Sequence, residues 1–189
     1  MQQRPILYVS NITNLGDARY CAGMGVDLLG FDADPSSHDY VSPALYQEIM
    51  GWVSGPGRVI QIASPETALA GYDPEYLHVI RVTDADDSEL PFILEMTFQA
   101  SPKDGHFRMS RNPSYLLLTD LPGNANHVRQ TLQNFPKEIK VLVSVPENVK
   151  ADDWYQETGA QGLYLKGSRE ISPGINDYGR LAEVLERFD

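Results

Sequence analysis

Eight short apolar runs punctuate the chain: PILYVSNI, VDLLGFDA, RVIQIA, LHVIRV, PFILEMTF, YLLLTD, KVLVSV and GLYLKG. Most are rich in branched aliphatic residues and lack strict polar alternation, which is how parallel strands covered on both faces read. Between them the apolar period changes to the helical one in LGDARYCAGMG, SPALYQEIMGWV, SPETALAGY, NANHVRQTLQNF, ENVKADDWYQETG and DYGRLAEVLERF. Several of these open on Ser, Asp or Asn, residues that cap a first helical turn. After the fourth and fifth runs the pattern weakens: DADDSEL predicts at most a short helix, and QASPKDGHFRMSRNPS predicts a polar loop. Eight strands with six or seven helices in strict order predict an α/β fold, a small (β/α)8 TIM barrel with a reduced helix after strand 5. A doubly wound open sheet is the competing architecture. No low-complexity linker divides residues 1–189, so a single barrel domain is expected.

Composition narrows the partners. The 189 residues carry a formal net charge of -11, and the resulting field disfavours both nucleic-acid backbones and anionic membrane surfaces. The apolar runs fall well short of the roughly 20 residues that span a bilayer, and the polar start MQQRP has no signal-peptide core. A cytoplasmic protein is expected. Cys21 is the single cysteine; it lies in a predicted helix, reads as a small apolar filler, and fits a reducing compartment.

In a barrel of this kind chemistry gathers at the C-terminal strand ends. That rule selects Ser10, Asn11, Asp32, Asp34, Arg81, Asp120, Ser144 and Lys166 with their loop neighbours. Asp32 and Asp34, two apart on an extended segment, share a face, and Asp39 extends the acidic loop; DADPSSHDY reads more readily as a solvated turn than as a site. Asp120 follows the apolar YLLL and is the better candidate for a general acid, with a turn cap as its plain alternative. Ser10 has no base beside it in sequence, and its hydroxyl suits hydrogen bonding. Lys166 and Arg169 flank Gly167 and Ser168 after the eighth strand, where barrels hold phosphate on backbone N–H groups. No pair of histidines or cysteines has metal-ligand spacing, and no metal site is expected.

The stretch from Tyr8 to Pro43 resembles the opening of the phosphoribosylanthranilate isomerase family, whose pattern runs approximately KICGITNLEDA, then GAD-LGF, then SPRYVSP. Gly25, Asp27, Gly30, Phe31, Tyr40, Val41, Ser42 and Pro43 fall in register without a gap. PENV at Pro146–Val149 is similar to the family's seventh-strand exit, and GLYLKGSREISPGIND to its close. The resemblance implies a cofactor-free Amadori rearrangement of a phosphoribosyl amine in tryptophan biosynthesis, with an aspartate as general acid and a cysteine as general base. It also implies a small phosphorylated ligand and a monomer or homodimer. Position by position, however, the family's lysine, cysteine and glycine of the first strand are Tyr8, Ser10 and Asn11 here, and the arginine of SPRYV is Asp39. Its paired seventh-strand glycines are Val143 and Ser144, and its SSG grip is Lys166, Gly167 and Ser168. The ungapped register puts Thr119 in the aspartate's place, with Asp120 one residue later. A serine in place of a cysteine forfeits a general base, a contribution of roughly 10² to 10⁴ in rate. The reading therefore leaves three outcomes: a divergent isomerase using Asp120 and Ser10, a non-catalytic binding or regulatory barrel, or a barrel enzyme with a changed substrate.

Overall fold

The computed structural model describes residues 4–64, 67, 69–80, 89–102, 109, 111–172 and 175–188; at 169–172 and 175–177 the description is confined to the backbone. Eight parallel strands close into a barrel: β1 (Ile6–Ser10), β2 (Leu28–Asp32), β3 (Gly57–Gln61), β4 (Tyr76–Val79), β5 (Phe92–Thr97), β6 (Tyr115–Thr119), β7 (Lys140–Ser144) and β8 (Gly162–Lys166). They coincide with the eight apolar runs. Closure is made by β8 on β1, with Ile6 opposite Gly162 and Ser10 opposite Lys166.

The missing polar alternation has its cause here, because both faces of each strand are buried. Outward side chains such as Leu7, Val9, Leu29, Phe31, Leu116 and Val141 pack under the helices, while Tyr8, Leu28, Val59, Ile93, Leu117, Leu142 and Tyr164 fill the barrel. Two glycines make room for this filling. A Cβ at Gly30 would come within 2.6 Å of the Tyr8 hydroxyl, and one at Gly162 would strike the Ile6 carbonyl oxygen at 2.3 Å.

Five helices lie among the described residues: α1 (Leu15–Gly23), α2 (Pro43–Met50), α3 (Ala125–Leu132), α4 (Ala151–Thr158) and α5 (Gly179–Leu185). The side chains of Asn14, Ser42 and Asn124 accept hydrogen bonds from the N–H groups of Asp17, Leu45 and His127, capping the first three. Among the described residues between β5 and β6 there is a single 3-10 turn, at Phe98–Ala100, in keeping with the reduced helix expected there. The helix expected at SPETALAGY falls partly outside the described residues; its described end, Leu69–Tyr72, is a turn in which Gly71 takes φ 88°. DADDSEL lies almost wholly outside them, as does Arg81. A feature the sequence did not suggest is an antiparallel hairpin between β8 and α5, formed by β9 (Arg169–Ser172) and β10 (Ile175–Asp177). No helix among the described residues is long and apolar enough to cross a membrane.

Candidate functional site

Strand alternation carries the interior register outward to the mouth. Two residues beyond Tyr8, Gly30, Val59, Ile93, Leu117, Leu142 and Tyr164 stand Ser10, Asp32, Gln61, Glu95, Thr119, Ser144 and Lys166. The C-terminal end of the barrel is thus a polar ring above an apolar and aromatic fill.

Inside that ring runs a chain of hydrogen bonds. The Tyr8 hydroxyl is 2.9 Å from Nδ1 of His78, whose Nε2 is 2.9 Å from Oε2 of Glu95. Thr119 donates its hydroxyl to Oε1 of the same carboxylate at 3.3 Å. Tyr8 is completely buried, and burial pushes its phenol well above the ordinary range, so it keeps its proton. With Glu95 ionised, the arrangement satisfies every group when Nε2–H donates to Glu95 and Nδ1 accepts from Tyr8. Burial opposes the charge on Glu95. The hydrogen bonds from His78 and Thr119, with the field of Lys166, outweigh it and hold the carboxyl below the usual glutamate range.

The expected site residues divide among three places. Ser10 is fully buried; its hydroxyl is 2.7 Å from the Tyr164 hydroxyl and donates to Oδ1 of Asn11, also at 2.7 Å. Asn11 leaves β1 in the left-handed region at φ 56°, a conformation that asparagine tolerates better than most residues. Its Nδ2 donates to Asp39 at 2.5 Å, and His38 lies 3.2 Å from the other Asp39 oxygen. Burial is the largest single effect on the Asp39 carboxyl and raises it, but the hydrogen bonds from His38 and Asn11 with the charges of His38 and Lys166 together bring it below its ordinary value. Asp34 is turned into its own loop, accepting from the Ser36 N–H and hydroxyl, which keep its carboxyl low.

At the β8 exit the donors proposed for an anion are engaged within the protein. Gly167 N–H donates to the Ser10 carbonyl at 2.7 Å, and a Cβ there would meet the Asn11 carbonyl oxygen at 2.7 Å. Ser168 donates its N–H and its hydroxyl to Asp17, at 3.2 and 2.6 Å, and Tyr178 donates to the other Asp17 oxygen at 2.7 Å. Arg169 falls on β9, and its side chain lies outside the description. Lys166, exposed at the strand end, lines a cavity of about 450 Å³ together with Ser144, Tyr164, Gly167 and a second cation, Arg180, which is paired with Glu183. A second cavity, of about 180 Å³, opens across the ring between Asp32, Gln61, His78 and Glu95.

Of the two neighbours at the end of β6, Thr119 is the inward residue, while Asp120 leaves the strand at φ 53° and takes no part in the hydrogen-bonded chain. Cys21 is buried in α1, as expected of a filler. Sequence reasoning missed His78, Glu95, Gln61 and Asp17. Each of the first three is a lone polar side chain in an apolar run, at the parity of the barrel interior, which is the signal that could have found them. Among the described residues no three His, Cys, Asp or Glu side chains are grouped to hold a metal ion.

No protein-family model and no curated protein sequence matches the chain. Solved structures do resemble it. A phosphoribosyl anthranilate isomerase in complex with reduced 1-(o-carboxyphenylamino)-1-deoxyribulose 5-phosphate superposes with a TM-score of 0.72 at 16% identity, covering 96% of this chain and 97% of that one. TrpF from Jonesia denitrificans gives 0.70 at 17%, covering 96% and 95%, and the phosphoribosyl anthranilate isomerase from Thermus thermophilus 0.69 at 20%, covering 96% of each. At these identities the likeness is one of fold over the whole barrel.

Proposed function

We propose that this protein is a divergent phosphoribosylanthranilate isomerase-like barrel, an Amadori-type isomerase of a phosphoribosyl amine with its place in tryptophan biosynthesis, whose proton transfers have moved off the family's usual positions. The motifs shared at both ends of the chain and the end-to-end likeness of fold support the descent. The observation that carries the catalytic reading is the polar ring. The inward positions at the ends of seven strands, from Ser10 to Lys166, are polar, with Ile80 after the fourth strand the apolar exception, and cavities of about 180 and 450 Å³ open onto that ring. A barrel kept only as a scaffold gains nothing from such a lining, because buried polar groups stabilise less than apolar ones of similar volume.

Ser10 and Thr119 stand in the register of the family's base and acid, and both hydroxyls are held in internal hydrogen bonds. An unactivated hydroxyl is a weak base near pH 7, so the reaction needs other groups. A phosphate on the substrate would find Lys166 as its cation beside the larger cavity, where the exposed ammonium makes no ion pair with a described residue. One observation favours a second reading, a non-catalytic binding barrel: the Gly167 and Ser168 donors are occupied by Ser10 and Asp17.

One assay separates the two. Freshly made phosphoribosylanthranilate loses its fluorescence as it isomerises, and the purified folded protein is expected to accelerate that loss above the spontaneous rate. Absence of any acceleration overturns the isomerase reading in favour of the binding barrel.

A further inference from the structure

We propose that Glu95 is the carboxylate that takes and returns the proton in this mouth, and that His78 is its positioning residue; the inference rests on the isomerase reading above. Glu95, like Asp32, is a carboxylate bordering the smaller cavity, and it differs in that side-chain donors hold both of its oxygens, where Asp32 accepts the Asp34 N–H on one. Its side chain is 28% exposed and borders the cavity shared with Asp32, Gln61 and His78. Oε2 is fixed by His78 at 2.9 Å and Oε1 by Thr119 at 3.3 Å. Each carboxylate oxygen has a second acceptor site, so both remain able to accept a proton from a molecule in the cavity.

The support behind Glu95 is built for orientation. The His78 side chain is 2% exposed, held between the Glu95 carboxylate and the Tyr8 hydroxyl, and Tyr8 in turn fits only because Gly30 has no side chain. A buried imidazole whose far nitrogen is occupied donates to the carboxylate in one tautomer and one direction. Such a pair is a poor source of stability in a strand layer where Leu77, Val79, Ile93 and Leu94 are all apolar and buried, which points to chemistry as its reason.

The step this geometry supports is abstraction of a proton from a carbon next to an imine or carbonyl of a sugar-derived substrate. The C–H bond breaks and its proton passes to Glu95. The bonding pair becomes a carbon–carbon double bond, and the pair of the C=N or C=O bond moves to the heteroatom. Glu95 returns that proton to the former imine or carbonyl carbon. The hydroxyl proton on the carbon that was deprotonated passes to the heteroatom as its C–O bond becomes C=O, so the isomerisation completes without net oxidation. Lys166, whose field already acts on Glu95, is the cation available to the charge that develops.

The test measures kcat and KM for phosphoribosylanthranilate in the wild type, E95Q, E95D and H78Q, with folding checked by circular dichroism. E95Q is expected to lose about 10² to 10⁴ in kcat with KM changed by no more than a few-fold. H78Q is expected to lower kcat with KM held, and to raise the titration midpoint of the Glu95 carboxyl carbon followed by 13C NMR, because the hydrogen bond that depresses it is weakened. A folded E95Q within about tenfold of wild-type kcat overturns the role of Glu95 and leaves the isomerase reading standing. If E95Q does not fold, E95D decides: it keeps the charge and withdraws it by one methylene, and an unchanged kcat overturns the proposal. An unmoved Glu95 titration in H78Q overturns the positioning role. A wild type with no turnover overturns the isomerase reading itself, and this assignment with it.

Discussion

Tyr8 and His78, on strands that are not neighbours in the barrel, meet across its interior, the phenol hydroxyl 2.9 Å from Nδ1 and the rings edge to face at 5.7 Å between centroids. The contact supplies the only hydrogen-bond donor that Nδ1 has among the described residues. Tyr8→Phe therefore leaves a buried acceptor unmatched while preserving the ring. A loss of about 1–3 kcal/mol in unfolding free energy is expected. Thermal unfolding checks it, at roughly 2–4 °C of Tm for each kcal/mol in a chain of this size.

Gly30 is the position that lets Tyr8 occupy the barrel centre. An added Cβ would stand 2.6 Å from the Tyr8 hydroxyl, 3.0 Å from its ring and 3.1 Å from the Ser10 Cα. The ring cannot withdraw from a packed interior and the Ser10 contact is backbone, so Gly30→Ala is expected to cost about 1–3 kcal/mol. In the double variant with Tyr8→Phe the shortest clash disappears. The two losses should then sum to more than the measured one, a coupling that a double-mutant cycle in urea reads directly.

Much of this fold was legible because its physics is local. Strands buried on both faces announce themselves as apolar runs, and Asn14, Ser42 and Asn124 cap helices where short polar residues precede a helical period. SPETALAGY misled at its end, since Gly71 at φ 88° makes a turn there. The site was less legible. Thr119 and Asp120 are one residue apart at a strand end, and only the alternation set by Leu117 and Leu118 shows which of them faces inward. Ser168 reads as an anion-binding residue until it is paired with Asp17, 151 positions away in sequence. His78 and Glu95 are 17 positions apart, on strands whose adjacency follows from the barrel order, yet nothing in either strand alone predicts their contact.

Cys21 offers a chemical check on the packing of α1. It is fully buried, and burial, with the Asp17 charge next in size, pushes the thiol up to about 12. Only the thiolate reacts with disulfide reagents, so at pH 8 its reactive fraction falls by about three orders of magnitude from that of an ordinary thiol. The native protein is expected to give no thiol signal with Ellman's reagent over minutes, and one equivalent once unfolded in guanidinium chloride. A rapid native signal would show α1 detaching from the barrel.

Glu95 makes the acid stability of the barrel predictable in sign. Its native carboxyl is held below the ordinary value of about 4.3 by His78, Thr119 and Lys166 against the opposing effect of burial. A carboxyl depressed on folding binds its proton more readily in the unfolded chain, so it stabilises the native state above the ordinary value. That contribution is lost as pH falls from about 4.3 through the lower native value. Glutamine does not titrate. The stability difference between wild type and Glu95→Gln is therefore expected to stay constant above about pH 5 and to move against the wild type below it. Urea unfolding of both proteins from pH 3 to pH 7 measures this; parallel curves across the whole range would mean that His78 and Thr119 do not favour the charged carboxylate in the folded protein.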